Sequence, residues 1–258
     1  MLEDPSVLKF GHNIKYDLQL FLPFGIHVAP IDDTMLLSYV LDGTSHSNSM
    51  DELAQMFLGH NTIKFSDVTG SGKSQVTFDL VPLDKALQYA AEDADITLRL
   101  HKIFKPRLAQ EHMATVYETL ERPLAPIIAQ METTGIKIDV SVLKGLSVDF
   151  AKQLATLETK IFELAGQSFN IGSPKQMGDV LFGSMGLDGG KKTKTGAWST
   201  GVEVLEELSE QGHEIATQLL EWRGFSKLKS TYADALPEAI NPKTGRLHTS
   251  FSMAGTNT

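Results

Sequence analysis

The stretch Tyr89-Ala-Ala-Glu-Asp93-Ala-Asp95 lies within residues 83–104, where apolar residues recur at steps of three and four. This spacing predicts one helix with an apolar face. The expected face consists of Leu83, Leu87, Ala90, Ala94 and Leu98. Because Tyr89 and Asp93 are four residues apart, the helix would project the phenol and the carboxylate from the same side. An acidic helix often carries such residues only as its solvated face, so this stretch needs a partner before it indicates chemistry.

A partner is the stretch Asn13-Ile-Lys-Tyr-Asp17, which follows an apolar segment at residues 7–11. That segment predicts a short strand, and Asn13 is a suitable N-cap for a helix with Asp17 in its first turn. Strand and helix patterns alternate up to residue 104, which favours an α/β layer. Since the chain begins at what the pattern predicts to be a middle strand, we expect a sheet that lacks its first strands.

Length and composition restrict the class of protein. A chain of 258 residues exceeds the usual size of one domain, so two domains are expected. No apolar run is long enough to cross a bilayer, and a chain without cysteine fits a reducing cytoplasm. The net charge of −9 argues against nucleic acid binding over the whole surface, but a local basic patch is compatible with it. We therefore expect a cytoplasmic protein that does not associate with membranes.

The second half of the chain is predicted to be mostly helical. We place the boundary near residue 112, which gives domains at residues 1–112 and 113–258. Leucine spacing predicts long helices at 140–165 and 215–232, whose apolar stripes should pack them antiparallel. Two patches of basic residues indicate either phosphate contacts or a solvated surface. They consist of Lys191, Lys192 and Lys194, and of Arg223, Lys227 and Lys229.

The carboxylates of Asp17 and Asp93 are oxygen ligands of the kind that Mg²⁺ and Mn²⁺ prefer. A pair of such ions can clamp the attacking and leaving oxygens of a phosphodiester. Tyr89, one helical turn from Asp93, could orient the attacking water. Each aspartate alone is more often a capping or surface residue than a ligand, but the two spacings together are much more specific.

Both stretches resemble known motifs. Gly11-His-Asn13-Ile-Lys-Tyr-Asp17 is similar to the second motif of DnaQ-like 3′–5′ exonucleases, and Tyr89-Ala-Ala-Glu-Asp93-Ala-Asp95 is similar to the third. Downstream segments resemble the bacterial DNA polymerase I family, so that the likeness covers essentially the whole chain in order. These segments are Asn170-Ile-Gly-Ser-Pro-Lys-Gln, Lys191-Lys-Thr, Arg223-Gly-Phe-Ser-Lys227-Leu-Lys229-Ser-Thr-Tyr232 and Asn241-Pro-Lys-Thr-Gly-Arg246-Leu-His-Thr-Ser.

The resemblance implies an incomplete RNase H-like exonuclease sheet with helices, followed by a helical polymerase thumb. It implies that Asp17 and Asp93 bind Mg²⁺ or Mn²⁺ in the parent enzyme. Tyr89 would position the water, and Asn13 would support the site and contact DNA. Phe65 would stack on terminal bases, although a core position is equally compatible with the sequence. The remaining DNA contacts would come from the basic patches: Lys191, Lys192, Lys194, Arg223, Lys227 and Lys229.

The chain departs from the family pattern in two places, and these departures determine which activity we expect. No Asp-x-Glu precedes Asp17, so the first exonuclease motif, which supplies half of the family's metal-binding carboxylates, is missing. The fingers and palm of a polymerase would follow residue 258. We therefore expect an internal part of a polymerase that binds primer-template duplex and single-stranded 3′ ends, from a parent that is a monomer. By itself it should hold metal ions poorly and catalyse almost nothing; the alternative is an RNase D-like 3′–5′ exoribonuclease.

Overall fold

A computed structural model of the protein describes residues 1–193 and 196–255. Lys194, one of the residues assigned to DNA contact, lies outside the described residues. The chain divides into two compact units: the first comprises Met1–Gly135 and His248–Thr258, and the second comprises Ile136–Leu247. The boundary predicted near residue 112 falls inside the first unit, because the helical segment that follows it packs on the first core.

The sheet of the first unit is parallel. In the part of the chain that the structure describes, it consists of β1 (Lys9–Gly11) and β2 (Ile31–Asp33). Gly11 pairs with Asp33 at the carboxyl end of the two strands. Parallel strands need a crossover connection, and a helix between them provides it, so the segments that leave β1 and β2 start at the same edge. This is the α/β arrangement that the sequence predicts.

Helices pack around this sheet. They are α1 (Lys15–Phe21), α2 (Thr34–Asp42), α3 (Met50–Leu58), α4 (Phe65–Thr69), α5 (Leu83–Gln110), α6 (Ala114–Val116) and α7 (Arg122–Thr134). A π-helical segment at Tyr117–Glu121 joins α6 to α7, and short 3₁₀ turns lie at Leu22–Phe24, Gly72–Ser74 and Phe78–Leu80. Their apolar faces meet in one core, in which Leu36, Leu37, Leu100 and Phe104 are fully buried.

Helix α5 differs from the prediction in its length and in the face that it buries. It continues through Pro106 to Gln110, because Leu108 is buried and Arg107 donates two hydrogen bonds to Asp42, at 3.1 and 2.9 Å. These contacts offset the backbone hydrogen bond that proline removes. The predicted apolar face is wrong: Leu83 and Leu87 are exposed, because the core packs against the second half of the helix. The buried residues there are Ile96, Leu100, Phe104 and Leu108.

The second unit is helical, as predicted. Its helices are α8 (Val140–Ala165), α9 (Pro174–Gly178), α10 (Val202–Glu210), α11 (Glu214–Lys227) and α12 (Ala235–Glu238), with π-helical segments at Asp179–Ser184 and Leu228–Asp234. Helix α8 has the predicted bounds, whereas the predicted helix at 215–232 is divided between α11 and the π-helical segment after it. No helix within residues 1–193 and 196–255 is both long and apolar enough to cross a membrane.

Helices α8 and α11 pack antiparallel, as their apolar stripes predict. Lys160 near the end of α8 lies 2.8 Å from Glu214 at the start of α11. Ser147 near the start of α8 donates to Asp234, which follows α11, at 2.5 Å. Apolar residues from both helices fill the second core between these ends: Leu157, Ile161, Ile215, Ala216 and Leu219.

The two ends of the second unit lie side by side. Ile136 and Leu247 form an antiparallel bridge in which each backbone N–H donates to the other's carbonyl oxygen at 2.8 Å. The chain therefore enters and leaves this unit through one hydrogen-bonded pair of residues.

Candidate functional site

The first turn of α1 holds Asp17 and is positioned by Asp33 of β2, whose link to this helix the sequence does not indicate. The Asp33 carboxylate accepts the backbone N–H of Asn13 at 3.0 Å and that of Ile14 at 2.9 Å. Asn13 has a φ of 56°, a left-handed conformation that asparagine tolerates, and no side chain caps the helix locally. The predicted N-cap role of Asn13 is wrong: its backbone turns the chain, and the acceptor comes from the neighbouring strand.

Tyr89 and Asp93 project from the same side of α5, as their spacing predicts. Burial, and then the negative charge of Asp93, raise the pKa of Tyr89 to about 12. Burial also raises the pKa of Asp93; a hydrogen bond with Tyr89 opposes this shift, while Glu92 and Asp51 add to it. The phenol therefore keeps its proton at neutral pH, so it can donate to a carboxylate and accept from a water molecule.

Tyr89 also belongs to an exposed aromatic cluster with Phe65 and Phe78. The Phe65 and Phe78 rings stack at 6.1 Å between centroids, and the Tyr89 ring lies 6.1 Å from the first and 5.8 Å from the second. Phe65 is 47% exposed, so it is not a core residue. Sequence analysis misses Phe78, although an aromatic residue just ahead of α5 was an available signal. The cluster presents ring faces on which a planar ligand can stack.

Asp17 takes no part in the contacts that define this cluster. Partial desolvation of its carboxylate raises the pKa of Asp17, whereas the negative charges that act on Asp93 are those of Glu92 and Asp51. Among the described residues, no group of three or more histidine, aspartate and glutamate side chains is placed to hold a metal ion. The convergence of Asp17 and Asp93 on a shared ion remains a prediction.

The basic residues of the second unit have acidic neighbours in space that the sequence does not reveal. Lys191 lies 3.4 Å from Glu207, and Lys229 lies 2.7 Å from Asp234. These pairs are solvent-accessible, so each contributes little and can open when another anion approaches. The Lys192 ammonium lies 4.8 Å from the centre of the Trp198 ring, a cation–π contact within the second unit.

Arg223 and Lys227 lie one turn apart on α11 but have different surroundings. Arg223 donates to the carbonyl oxygen of Thr200 at 2.5 Å, and its second terminal nitrogen lies 3.3 Å from Thr200 Oγ1 and 3.1 Å from Met177 Sδ. Its guanidinium therefore braces the segment that precedes α10. Lys227 is exposed, and no ion pair engages it in the described ranges. Of the two, Lys227 is the side chain that is available to a phosphate.

A buried charge network fixes α5 against β2, and sequence analysis does not find it. Asp32 is fully buried and accepts from His101 Nε2 at 2.8 Å, from Lys105 Nζ at 3.1 Å and from the Tyr117 hydroxyl at 3.2 Å. Burial alone would raise the pKa of Asp32, but the hydrogen bonds from His101 and Lys105 outweigh it and hold this pKa below its usual range. Phe10 stacks on the His101 ring at 4.8 Å. The network thereby orients the helix that carries Tyr89 and Asp93.

Two family models match this chain. One, described as 3′–5′ exonuclease, matches residues 1–109, and the other, described as DNA polymerase family A, matches residues 140–258. The first match contains Asp17, Tyr89 and Asp93, and the second contains Arg223 and Lys227.

Similar proteins and a similar structure agree with both matches. The chain is 55% identical to DNA polymerase I of Rhizobium leguminosarum, covering 100% of this chain and 25% of that protein. It is 39% identical to the thermostable DNA polymerase I of Thermus aquaticus, covering 93% of this chain and 26% of that protein. A structure of the POL domain of Pol1 from M. smegmatis, in complex with DNA primer-template and dNTP, is similar to this chain with a TM-score of 0.74. The two sequences are 27% identical, and the match covers 98% of this chain and 41% of that chain. The chain thus spans about a quarter of the length of these curated relatives.

Proposed function

Because this chain belongs to the family A DNA polymerases, we propose that its first unit is part of a 3′–5′ exonuclease and its second unit a DNA-gripping thumb. The activity of the isolated chain is then DNA binding without chemistry of its own. The second unit would hold a primer-template duplex, and the first unit a single-stranded 3′ end. A monomeric state and a cytoplasmic location belong to the same proposal.

One observation carries the proposal for the first unit: the Tyr89–Asp93 pair lies beside the exposed rings of Phe65 and Phe78, within the range that the exonuclease model matches. Exposed rings can take up an unpaired base by stacking, whatever its sequence. A protonated phenol beside a carboxylate can orient a water molecule next to the terminal phosphodiester. The match of residues 140–258 to DNA polymerase family A favours this proposal over an RNase D-like exoribonuclease.

The metal requirement limits what the first unit can do. In such a site Mg²⁺ or Mn²⁺ would stabilise the attacking and leaving oxygens of the phosphodiester. Asp17 and Asp93 are the candidate ligands, and within the described residues no three acidic or histidine side chains are grouped so that they could hold an ion. The residues present do not fit a complete two-ion site. What Tyr89, Asp93 and the aromatic cluster can do without an ion is bind a strand end and orient water.

The second unit is proposed to bind the DNA backbone. Backbone contacts by lysine supply affinity without sequence preference. Lys191, Lys192 and Lys227 are exposed, and Lys194 follows Lys192 by two positions in the sequence. If these residues neutralise about four phosphates, the logarithm of the binding constant should fall with the logarithm of salt concentration at a slope of roughly −3 to −4.

Anisotropy measurements on a labelled primer-template duplex across a salt series test the second unit. Lys227→Ala should flatten the slope by about one unit, because one phosphate contact is lost. Lys152→Ala is the matched control, since Lys152 is also an exposed lysine and pairs with Asp149 on α8. Binding that does not depend on salt or on Lys227 would contradict the thumb assignment.

Incubation of the same sample with magnesium and a 3′-labelled strand tests the first unit. We expect almost no loss of 3′ nucleotides and no incorporation of dNTP. Robust exonuclease activity that Asp93→Ala abolishes would contradict the proposal that the isolated chain binds without chemistry. An activity restricted to RNA would favour the RNase D-like alternative.

A further inference from the structure

Glu92 has both carboxylate oxygens engaged by one segment of the chain. It lies three residues after Tyr89 and directly before Asp93, so it projects from the same side of α5 as the candidate site. Its Oε1 lies 2.7 Å from His60 Nε2, and its Oε2 accepts the backbone N–H of Ile63 at 2.6 Å. The Glu92 side chain is 17% exposed, which is low for a glutamate at the surface of a helix.

The clamped segment, residues 59–64, leads directly into Phe65, the first residue of α4. Between His60 and Ile63, the Thr62 hydroxyl donates a further hydrogen bond to Asp51 at 2.6 Å. The backbone N–H of Lys64 donates to Asp67 at 3.2 Å, which continues the hydrogen-bonded path into the first turn of α4. The position of the Phe65 ring is therefore fixed relative to α5 through this segment.

Stacking on an exposed ring requires that the ring is held in place before the ligand arrives, because a mobile ring loses conformational entropy on binding. Helix α4 has only five residues and Phe65 is nearly half exposed, so its own helix cannot provide this restraint. The contacts between Glu92 and residues 59–64 provide it from the helix that also carries Tyr89 and Asp93.

We propose that Glu92 is a positioning residue that clamps residues 59–64 to α5 and so holds Phe65 beside Tyr89 as a stacking surface for the unpaired nucleobase at a 3′ end. The inference rests on the proposed function of the first unit and adds a residue to it. Glu92 touches neither the base nor the phosphodiester. It acts through the placement of Phe65, with His60 as the partner of one oxygen and the Ile63 backbone as the partner of the other.

The test uses a single-stranded oligonucleotide with 2-aminopurine at its 3′ end, whose fluorescence falls when the base stacks on an aromatic ring. Glu92→Ala should weaken binding about tenfold and remove most of the quenching, as expected when one stacked base is lost. Glu92→Gln should stay within about twofold of the parent chain, because its amide oxygen can accept from Ile63 and its NH₂ group can donate to the His60 ring nitrogen.

Two further variants separate positioning from charge and from misfolding. Asp95→Ala removes the same charge three residues away and should leave quenching unchanged, because among the described residues the Asp95 side chain pairs with exposed Arg99 and not with residues 59–64. If Glu92→Ala fails to fold, His60→Ala, which removes one arm of the clamp, should weaken quenching partially. Hydrogen exchange at residues 59–66 should accelerate in Glu92→Ala and not in Glu92→Gln.

The outcomes distinguish the inference from the function on which it rests. Quenching in the parent chain that Phe65→Ala abolishes and Glu92→Ala leaves intact would overturn the role of Glu92 while the proposed function stands. The absence of quenching in the parent chain would overturn both. Loss of quenching in Asp95→Ala as well as in Glu92→Ala would show that charge, and not the clamp, controls binding, and would also overturn the inference.

Discussion

At the scale of single residues, two adjacent aspartates of β2 have opposite tasks. Asp33 accepts backbone N–H groups from two segments: those of Asn13 and Ile14 at the entry of α1, and that of Met35 in α2 at 2.9 Å. Asp32 accepts only from side chains and joins β2 to α5. One carboxylate thus organises the polypeptide backbone, and the other is a buried negative charge that partly exposed basic side chains compensate.

Replacement of Asp33 by alanine should destabilise the first unit. The change leaves the buried N–H group of Ile14 and the partly buried N–H groups of Asn13 and Met35 without their acceptor, and we expect a loss of about 2–3 kcal/mol in the free energy of unfolding. Asp139→Ala is the control, because Asp139 caps α8 at an exposed position, where water can replace the lost acceptor and the loss of stability should be smaller. Urea unfolding measures both; equal losses would contradict the argument from burial.

The pH dependence of stability should report on Asp32. Its folded-state pKa is lower than the usual 3.8, so ionised Asp32 contributes stability above about pH 4 that is lost as the pH falls through the folded-state pKa. Asp32→Asn should therefore be less stable than the parent chain near neutral pH, by about 3 kcal/mol. The difference should shrink at acid pH. Asp149→Asn, an exposed member of a pair with Lys152, should show neither effect. A constant difference at every pH would contradict the assignment.

At the scale of the helices, Arg223 and Lys227 test whether position on one helix implies one role. Arg223→Ala removes the hydrogen bonds to Thr200 and should lower the free energy of unfolding of the second unit by about 1–3 kcal/mol. Lys227→Ala should leave stability unchanged and reduce DNA binding. Urea unfolding and the salt series separate the two effects. Arg223→Ala with unaltered stability and a flatter salt slope would instead support phosphate contact by Arg223.

The success of sequence prediction for a helix depends on how local its determinants are. The bounds of α8 follow from Asp139, which accepts the backbone N–H groups of Ser141 and Val142, and from Gly166, which ends the helix in a left-handed conformation. The buried face of α5 could not be predicted, because the apolar period is present along both halves and only the tertiary contacts select one. The prediction of Asn13 as the N-cap of α1 failed for the same reason, since the acceptor at this helix end is Asp33, which belongs to β2.

In the candidate site, as in the helices, the sequence predicted local relations and missed contacts between residues that are distant in the chain. Tyr89 and Asp93 share one turn of α5, so their mutual placement followed from the period of the helix. Glu92 belongs to the same stretch of sequence as Tyr89 and Asp93. Its partners His60 and Ile63 are about thirty residues away, and nothing in the local pattern indicates these contacts. The pairing of Lys191 with Glu207, 16 residues away, was hidden in the same way, whereas Asp234 lies only 5 residues after Lys229.

At the scale of the whole molecule, the returning segment after residue 247 is locked into the first unit by a buried ion pair. Lys15 Nζ lies 2.5 Å from Glu132 Oε1 and donates to the carbonyl oxygen of Phe251 at 2.5 Å. The N–H of Phe251 donates to the same Glu132 oxygen at 2.5 Å, and His248 Nδ1 lies 2.8 Å from the Glu132 carbonyl oxygen. One pair of side chains thus joins α1, α7 and the last described segment.

Lys15→Ala should therefore loosen that segment as well as destabilise the unit. It leaves Glu132 buried without its cation, and we expect a loss of about 3–5 kcal/mol in the free energy of unfolding together with faster chymotrypsin cleavage after Phe251. The double variant Lys15→Met with Glu132→Leu should be less damaging than Lys15→Ala, because no unpaired charge remains. Cleavage after Phe251 at the parent rate in Lys15→Ala would contradict the lock.

The bridge between Ile136 and Leu247 makes the second unit a cassette. In such a hydrogen-bonded pair the Cα atoms are about 5.5 Å apart, so Gly135 and His248 could be rejoined by a turn of about two or three residues. A gene with codons 136–247 replaced by such a turn would encode the first unit with its chain order unchanged. Because its two ends are held together by the bridge between Ile136 and Leu247, the second unit is suited to insertion into an exposed loop of an unrelated protein. What interrupts the first unit in the gene is thus a transplantable part of the polypeptide.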